Sequence, residues 1–259
     1  MLNRTFFISL ILLAVLPLWA APSANVSQEA NQVVWNGDRS KPQIALTFDD
    51  GPKPEFCLPI LNILDQFGVK ATFFIIGKEA RWHPDLVYRI YESGHDLGNH
   101  TYSHYRLDSL SREQMDVELK ASNEIIATIT GKTPLYFRPP GGRFNKIVVN
   151  EVGKNDLQII NWSLNAGDYT NASKYFNPTI KPNELADRII KSCRNGDIIL
   201  MHNGGGPTTE ALPKIIMGLR QAGFEFVTVS QLLNQQGNAN LFSAKPDGVK
   251  KLTSAEVTQ

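Results

Sequence analysis

Apolar positions in this chain fall in short runs, separated by stretches with helical spacing. Seven segments read as strands: residues 43–48, 71–76, 95–100, 135–138, 158–163, 197–202 and 224–229. Most are apolar runs of strand length bounded by turn-forming residues. The strongest helical pattern runs from Arg112 to Thr130, with Met115, Leu119, Ile126 and Ile129 on one face. Ser111 can cap it, Gln114 can close a capping box, and Gly131 ends it. "ILNILDQFG" before the second strand and "NELADRIIKS" before the sixth behave likewise. Strand then helix, repeated along the chain, predicts parallel strands with helices outside. A β/α barrel and an open doubly wound sheet both satisfy that rule. Strand number, and the polar residues considered next, favour an α/β fold of one kind: a distorted (β/α) barrel with about seven parallel strands.

The polar residues at the strand ends change the picture most. Asp49 and Asp50 end the first strand and His100 the third, with His104 four residues on. Arg138 ends the fourth strand, Asp168 follows the fifth and His202 ends the sixth. In α/β folds, that edge is where ligands bind. His100 and His104 with one carboxylate make two imidazoles and an oxygen, a set that holds a divalent metal and leaves positions open. Zinc is the default for a hydrolytic site of this kind, with Co2+ and Ni2+ as alternatives. One aspartate is then a ligand and its neighbour a base; spacing alone does not say which. Such a metal lowers the pKa of water towards about 7 and polarises a carbonyl beside it. His202 is the imidazole available to protonate a leaving amine. Arg138 can pair with and orient the base, and Asp168 can hold His202 and favour its protonated form. "NGGG" (203–206) lacks the lysine and serine of a phosphate-binding P-loop.

The chain ends carry a different signal. Arg4 precedes an almost wholly apolar stretch, residues 6–18, followed by Ala20, Ala21, Ser23 and Ala24. That is the pattern of a secretory signal, and the run is short for a membrane span. The expected organisation is a signal peptide at 1–21, a mobile polar leader at 22–40, one domain at 41–235 and a mobile polar tail at 236–259. The expected location is outside the cytoplasm: secreted, periplasmic or at the cell envelope, with no integral membrane domain. Cys57 and Cys193, the only cysteines, are expected near opposite ends of their helices and unpaired. A net charge of +1 gives no basic excess for nucleic acid. A monomer is expected.

Five motifs, "TFDDGP", "HTYSH", "RPPGG", "WSLNAGDY" and "LMH", stand in an order that resembles the polysaccharide deacetylases of carbohydrate esterase family 4, the NodB-homology domain. The likeness runs from about Gln43 to Leu233. It implies a distorted (β/α) barrel and metal-dependent removal of N-acetyl, sometimes O-acetyl, groups from a glycan substrate. On this resemblance Asp49 is the catalytic base, Asp50 the metal ligand beside His100 and His104, and Thr101 the brace of the loop between the histidines. Arg138 is the partner of the base, and Asp168 the partner of the acid, His202. Leu200 lines the pocket for the acetyl methyl group, and Gly141, after Pro140, offers its N–H to the oxyanion. Two positions depart from the common pattern: Gly141 stands where many members have Tyr or Phe, and Tyr169 where many have Trp. Both bear on sugar specificity more than on chemistry. Tyr102, Tyr105, Phe144 and Tyr175 are further candidates for stacking on sugar. The implied function is deacetylation of GlcNAc-containing peptidoglycan or chitin-type oligosaccharide. The alternatives are acetylxylan O-deacetylation, amide or imide hydrolysis on the same fold, and glycan binding without turnover.

Overall fold

The computed structural model describes residues 33–169, 180–203, 206–233 and 242–244. The expected signal peptide, the first part of the leader, Tyr175 and most of the tail lie outside the described residues. In chain order the elements are β1 (Gln43–Gly51), α1 (Pro54–Gln66), β2 (Thr72–Ile75), α2 (Gly77–Trp82), α3 (Pro84–Glu92), β3 (Asp96–Asn99), α4 (Arg112–Thr130), β4 (Lys132–Pro134), β5 (Tyr136–Phe137), α5 (Lys146–Lys154), β6 (Gln158–Ile159), β7 (Leu164–Asn165), α6 (Pro182–Ser192), β8 (Ile198–His202), α7 (Gly206–Gln221), β9 (Glu225–Phe226), α8 (Val229–Leu232) and β10 (Phe242–Ala244). Seven parallel strands run in the order β6-β5-β3-β2-β1-β8-β7 and curl into a half-barrel, with β9 also parallel to the start of β1.

Strand parity sorts the core into layers. Ile44, Leu46 and Phe48 of β1 pack outwards with Ile199 and Met201 of β8 against α1, α3, α6 and α7. The alternate positions face inwards. There Ala45, Phe74 and Ile198 form a plug with Val227, Val229 and Leu232. Strands covered on both faces are nearly continuous in apolar residues, which is why β1 shows no polar stripe until Thr47. Parallel register then sets Ala45 beside Ile198, Thr47 beside Leu200 and Asp49 beside His202. A third cluster, with Phe137 and Ile159, seats α4 and α5.

The expected long helix is present over its whole predicted span. Ser111 and Gln114 form a capping box, and Gly131 ends the helix in the left-handed conformation, φ 78°. Other boundaries move for identifiable reasons. The expected strand 158–163 ends at Ile159, because the carbonyls of Ile160 and Asn161 turn to the Arg138 guanidinium instead of a neighbouring strand. Residues 160–163 then lead directly into β7. The expected strand 224–229 ends at Phe226, because Thr228 and Gln231 form a capping box that starts α8. The leader does not stay free up to residue 40: Val34 bridges Ile160, and Asn36 bridges Asp197. Likewise the tail is not wholly unstructured, since β10 pairs antiparallel with β4, whose edge would otherwise carry unpaired backbone groups. Cys57 and Cys193 are both free thiols, as expected.

Gly98 lies in the inner row opposite Phe74. A Cβ there would sit 2.5 Å from Phe74 Cδ1 and 3.3 Å from the Tyr136 carbonyl oxygen. Gly98→Ala is therefore expected to destabilise the fold by about 1–3 kcal/mol through overpacking, measured as a lower urea midpoint. An unchanged midpoint would show that the ring has room to move.

Candidate active site

The inner parity of four strands points its last residues into one cavity of about 590 Å³ at the carboxyl edge of the barrel. Asp49, Asp50, His100, His104, Pro140, Gly141, Tyr169, Leu200 and His202 line it together with Arg106, Trp162 and Asn165. Arg138 and Asp168 stand behind the wall, each holding a residue that faces the cavity.

Arg138 has no solvent-exposed surface. One guanidinium nitrogen donates to Asp49 Oδ1 at 2.8 Å and to Thr47 Oγ1 at 2.7 Å. The others donate to the carbonyls of Ile160, at 3.1 Å, and Asn161, at 3.0 Å. Below it, the Phe74 ring centroid is 4.1 Å from the guanidinium carbon, within cation–π range. A buried charge needs this many partners to offset desolvation. The result is an Asp49 carboxylate whose position and partner are both fixed.

The second carboxylate points elsewhere. Asp50 Oδ1 lies 3.3 Å from His100 Nε2 and 3.1 Å from His104 Nε2. These three ligand atoms all fall within 4.8 Å of one another. His100 Nδ1 bonds the Arg138 carbonyl oxygen at 2.7 Å. That bond assigns the proton to Nδ1 and leaves Nε2 as a donor atom, the usual arrangement behind a metal-bound imidazole. Two imidazole nitrogens and one carboxylate oxygen converging at the cavity floor fit a divalent metal. Burial opposes ionisation of Asp50, but its contacts with His100 and His104 hold the carboxyl well below the usual range.

Backbone conformation directs these atoms. Asp50, Thr101 and His104 have φ of 70°, 64° and 61°, a region that non-glycine residues seldom occupy and that clusters at functional sites. The loop that carries the two histidines is tied down by N–H groups donating to the carbonyls of Thr101 and Tyr102 from α2, and by the Ser103 N–H donating to Glu118. The Thr101 N–H donates to Asn99 Oδ1, while Asn99 Nδ2 donates to Asn123 and to the Leu119 carbonyl of α4. Thr101 thus belongs to the braced loop through its main chain, and among the described residues its buried hydroxyl has no hydrogen-bond partner. Asn99 and Glu118 were not singled out from sequence; the available signal for Asn99 was a polar residue on the helix-facing parity of a buried strand, and Glu118, on α4, carried none.

His202 is the fourth corner. Its Nδ1 meets Asp168 Oδ1 at 2.9 Å, and its main-chain N–H donates to Asp168 Oδ2 at 2.8 Å. Thr208 donates to the same Oδ2 at 2.5 Å; no sequence pattern marked this threonine. The Tyr169 ring stacks on the imidazole, 4.8 Å between centroids. Burial alone pulls the His202 pKa down. The Asp168 carboxylate opposes that, with Asp50 and Asp49 behind it, and the net result is a pKa pushed up to about 9. These carboxylates favour the imidazolium form of His202, which suits it to giving a proton.

Comparison with known proteins agrees with this geometry. The family model described as polysaccharide deacetylase matches residues 36–160. A peptidoglycan-N-acetylglucosamine deacetylase of Bacillus cereus (strain ATCC 14579) is 34% identical over 204 residues, covering 78% of this chain and 92% of that one. The solved structure of the Bc1960 peptidoglycan N-acetylglucosamine deacetylase superposes with a TM-score of 0.72 at 31% identity, covering 78% of this chain and 92% of that one. BA3943 from Bacillus anthracis, a CE4 family pseudoenzyme, also reaches a TM-score of 0.72 at 27% identity, covering 79% and 69%. The chain belongs to the polysaccharide deacetylase family, carbohydrate esterase family 4. Its deacetylases are metal-dependent, and Asp50, His100 and His104 form a cluster that could hold such an ion.

The Asp168 carboxylate is the main group that raises the His202 pKa. Asp168→Asn is expected to lower that pKa, so less imidazolium remains as pH rises. The alkaline limb of the pH–kcat profile should move down by about one unit or more. An unmoved limb would show that another group limits the rate there.

Proposed function

We propose that this protein hydrolyses the N-acetyl amide of N-acetylglucosamine residues in peptidoglycan. The observation that carries the reading is the register pair Asp49 and His202 on adjacent strands. Each is backed by a buried counter-group, and both open onto the cavity that holds Asp50, His100 and His104. A divalent metal on those three residues, zinc by the chemistry of the set, would supply charge that acidifies water and polarises a carbonyl. Asp49, steadied by Arg138, takes the proton of the attacking water. Gly141, on the cavity wall, offers its N–H to the oxygen that gains charge, and the buried face of Leu200 receives the acetyl methyl group. His202 protonates the departing amine, and Asp168 stabilises its imidazolium form. The two proton carriers sit in different electrostatic surroundings, one beside a guanidinium and one beside a carboxylate, and that separation supports the reading of one as base and the other as acid.

Peptidoglycan as the polymer rests on the relatives that carry that activity in their names. The same reading puts the mature protein outside the cytoplasm, where peptidoglycan lies. The signal-like pattern of Arg4 and residues 6–18 supports it, and N-terminal sequencing of the exported protein tests it. No helix among the described residues is long and apolar enough to cross a membrane.

Acetate release from isolated peptidoglycan is the direct test. It should vanish with a chelator and return on adding zinc or cobalt; glycan binding without acetate would place this chain with the pseudoenzymes instead. Asp49→Asn should retain metal by elemental analysis while losing about 10²–10⁴-fold in kcat. His104→Ala should lose metal itself. If Asp49→Asn loses the metal and Asp50→Asn keeps it, the roles of the pair are reversed.

A further inference from the structure

The mechanism above leaves one charged lining residue without a task. Arg106 stands at the cavity wall, two positions after the ligand His104. Its Nε and one Nη2 hydrogen go to Asp108, at 3.2 and 2.9 Å. Among the described residues, Nη1 has no hydrogen-bond partner. The pair is exposed on the arginine side, at 49%, so it contributes little to stability. It does hold the planar guanidinium in a fixed orientation. Asp108 also feels the positive charge of Arg143.

The wall is open on the Gly141 side. Gly141 has φ 66°, and a Cβ built on it would meet nothing within 4 Å. Gly141 and Arg106 line the same cavity. An aromatic side chain at position 141 would occupy this space; its absence leaves room for a substituent on the sugar chain. A guanidinium with unused donors, beside an open wall, suits a carboxylate.

We propose that Arg106 is a specificity-determining residue that binds a carboxylate carried by the glycan next to the sugar being deacetylated. The inference rests on the deacetylase reading and sharpens it. The preferred polymer is an acidic glycan, in which a lactyl ether or an attached peptide supplies the carboxylate, over a neutral one such as a chitin-type chain. Asp108 positions Arg106 and leaves Nη1 to the ligand.

The test compares acetate release, as kcat/KM, from matched tetrasaccharides: chitotetraose, a peptide-free GlcNAc–MurNAc tetrasaccharide, the same compound with its carboxyls methyl-esterified, and the peptide-bearing form. The wild-type enzyme should prefer the free acid over its ester by about tenfold, mainly through KM, the scale of one charged hydrogen bond. Arg106→Gln should collapse that ratio towards one, and added salt should narrow it in the wild type. A preference seen only with the peptide-bearing form assigns the carboxylate to the peptide. Acetate released equally from acid and ester, or a ratio unmoved by Arg106→Gln, overturns the role of Arg106 and leaves the deacetylase reading intact. Release from none of the glycans by the metal-loaded enzyme overturns both.

Discussion

A positive charge buried inside the barrel is the constraint around which this structure is arranged. Arg138 has no solvent to hydrate it, so its hydrogen-bond donors must find acceptors on the protein. They find Thr47, Asp49 and the carbonyls of Ile160 and Asn161. Satisfying the last two ends β6 early and turns the chain across to β7. The flat underside of the guanidinium lies over Phe74, and Phe74 has room only because residue 98 is glycine. The carbonyl of Arg138 itself orients His100. One side chain therefore links the closing of the barrel, the seat of the Asp49 carboxylate and the tautomer of His100. Removing one member of such a buried pair typically costs about 3–5 kcal/mol.

Above that layer, the site divides its labour by backbone type. Asp49 and His202 come from regular, registered strand ends, where parity and pairing give fixed positions. Asp50, at the irregular end of β1, and His104, in a loop, are left-handed residues, where the chain departs from regular geometry to aim a side chain. The adjacency of Asp49 and Asp50, two like charges in sequence, is resolved by that departure: one faces Arg138, the other faces two imidazoles.

Relatives with this fold include both enzymes and a pseudoenzyme, so the fold alone does not decide activity. What argues for chemistry here is the set of supporting groups. Asp168 is held by Thr208 and by the His202 main chain as well as by the ring. The histidine loop is fastened by Asn99 and Glu118. Supports of this kind pre-organise a reacting centre.

Sequence alone carried the alternation of strand and helix, both caps of α4, and the chemical types at the strand ends. These are local: a capping box, a period and a dipeptide such as Asp49–Asp50 depend on neighbours a few residues away. Family likeness added the order of roles within that dipeptide. Only the tertiary structure decided the rest. The halt of β6 depends on a guanidinium more than twenty residues away in sequence, at Arg138. The fit of residues 33–40 against Ile160 and Asp197 depends on edges formed by distant strands. Thr208 meets Asp168, Asn99 meets Asn123, and Arg106 shares a wall with Gly141 through packing between separate elements. Periodicity reports which face of a segment is buried, and it holds no information on which distant group will be waiting there.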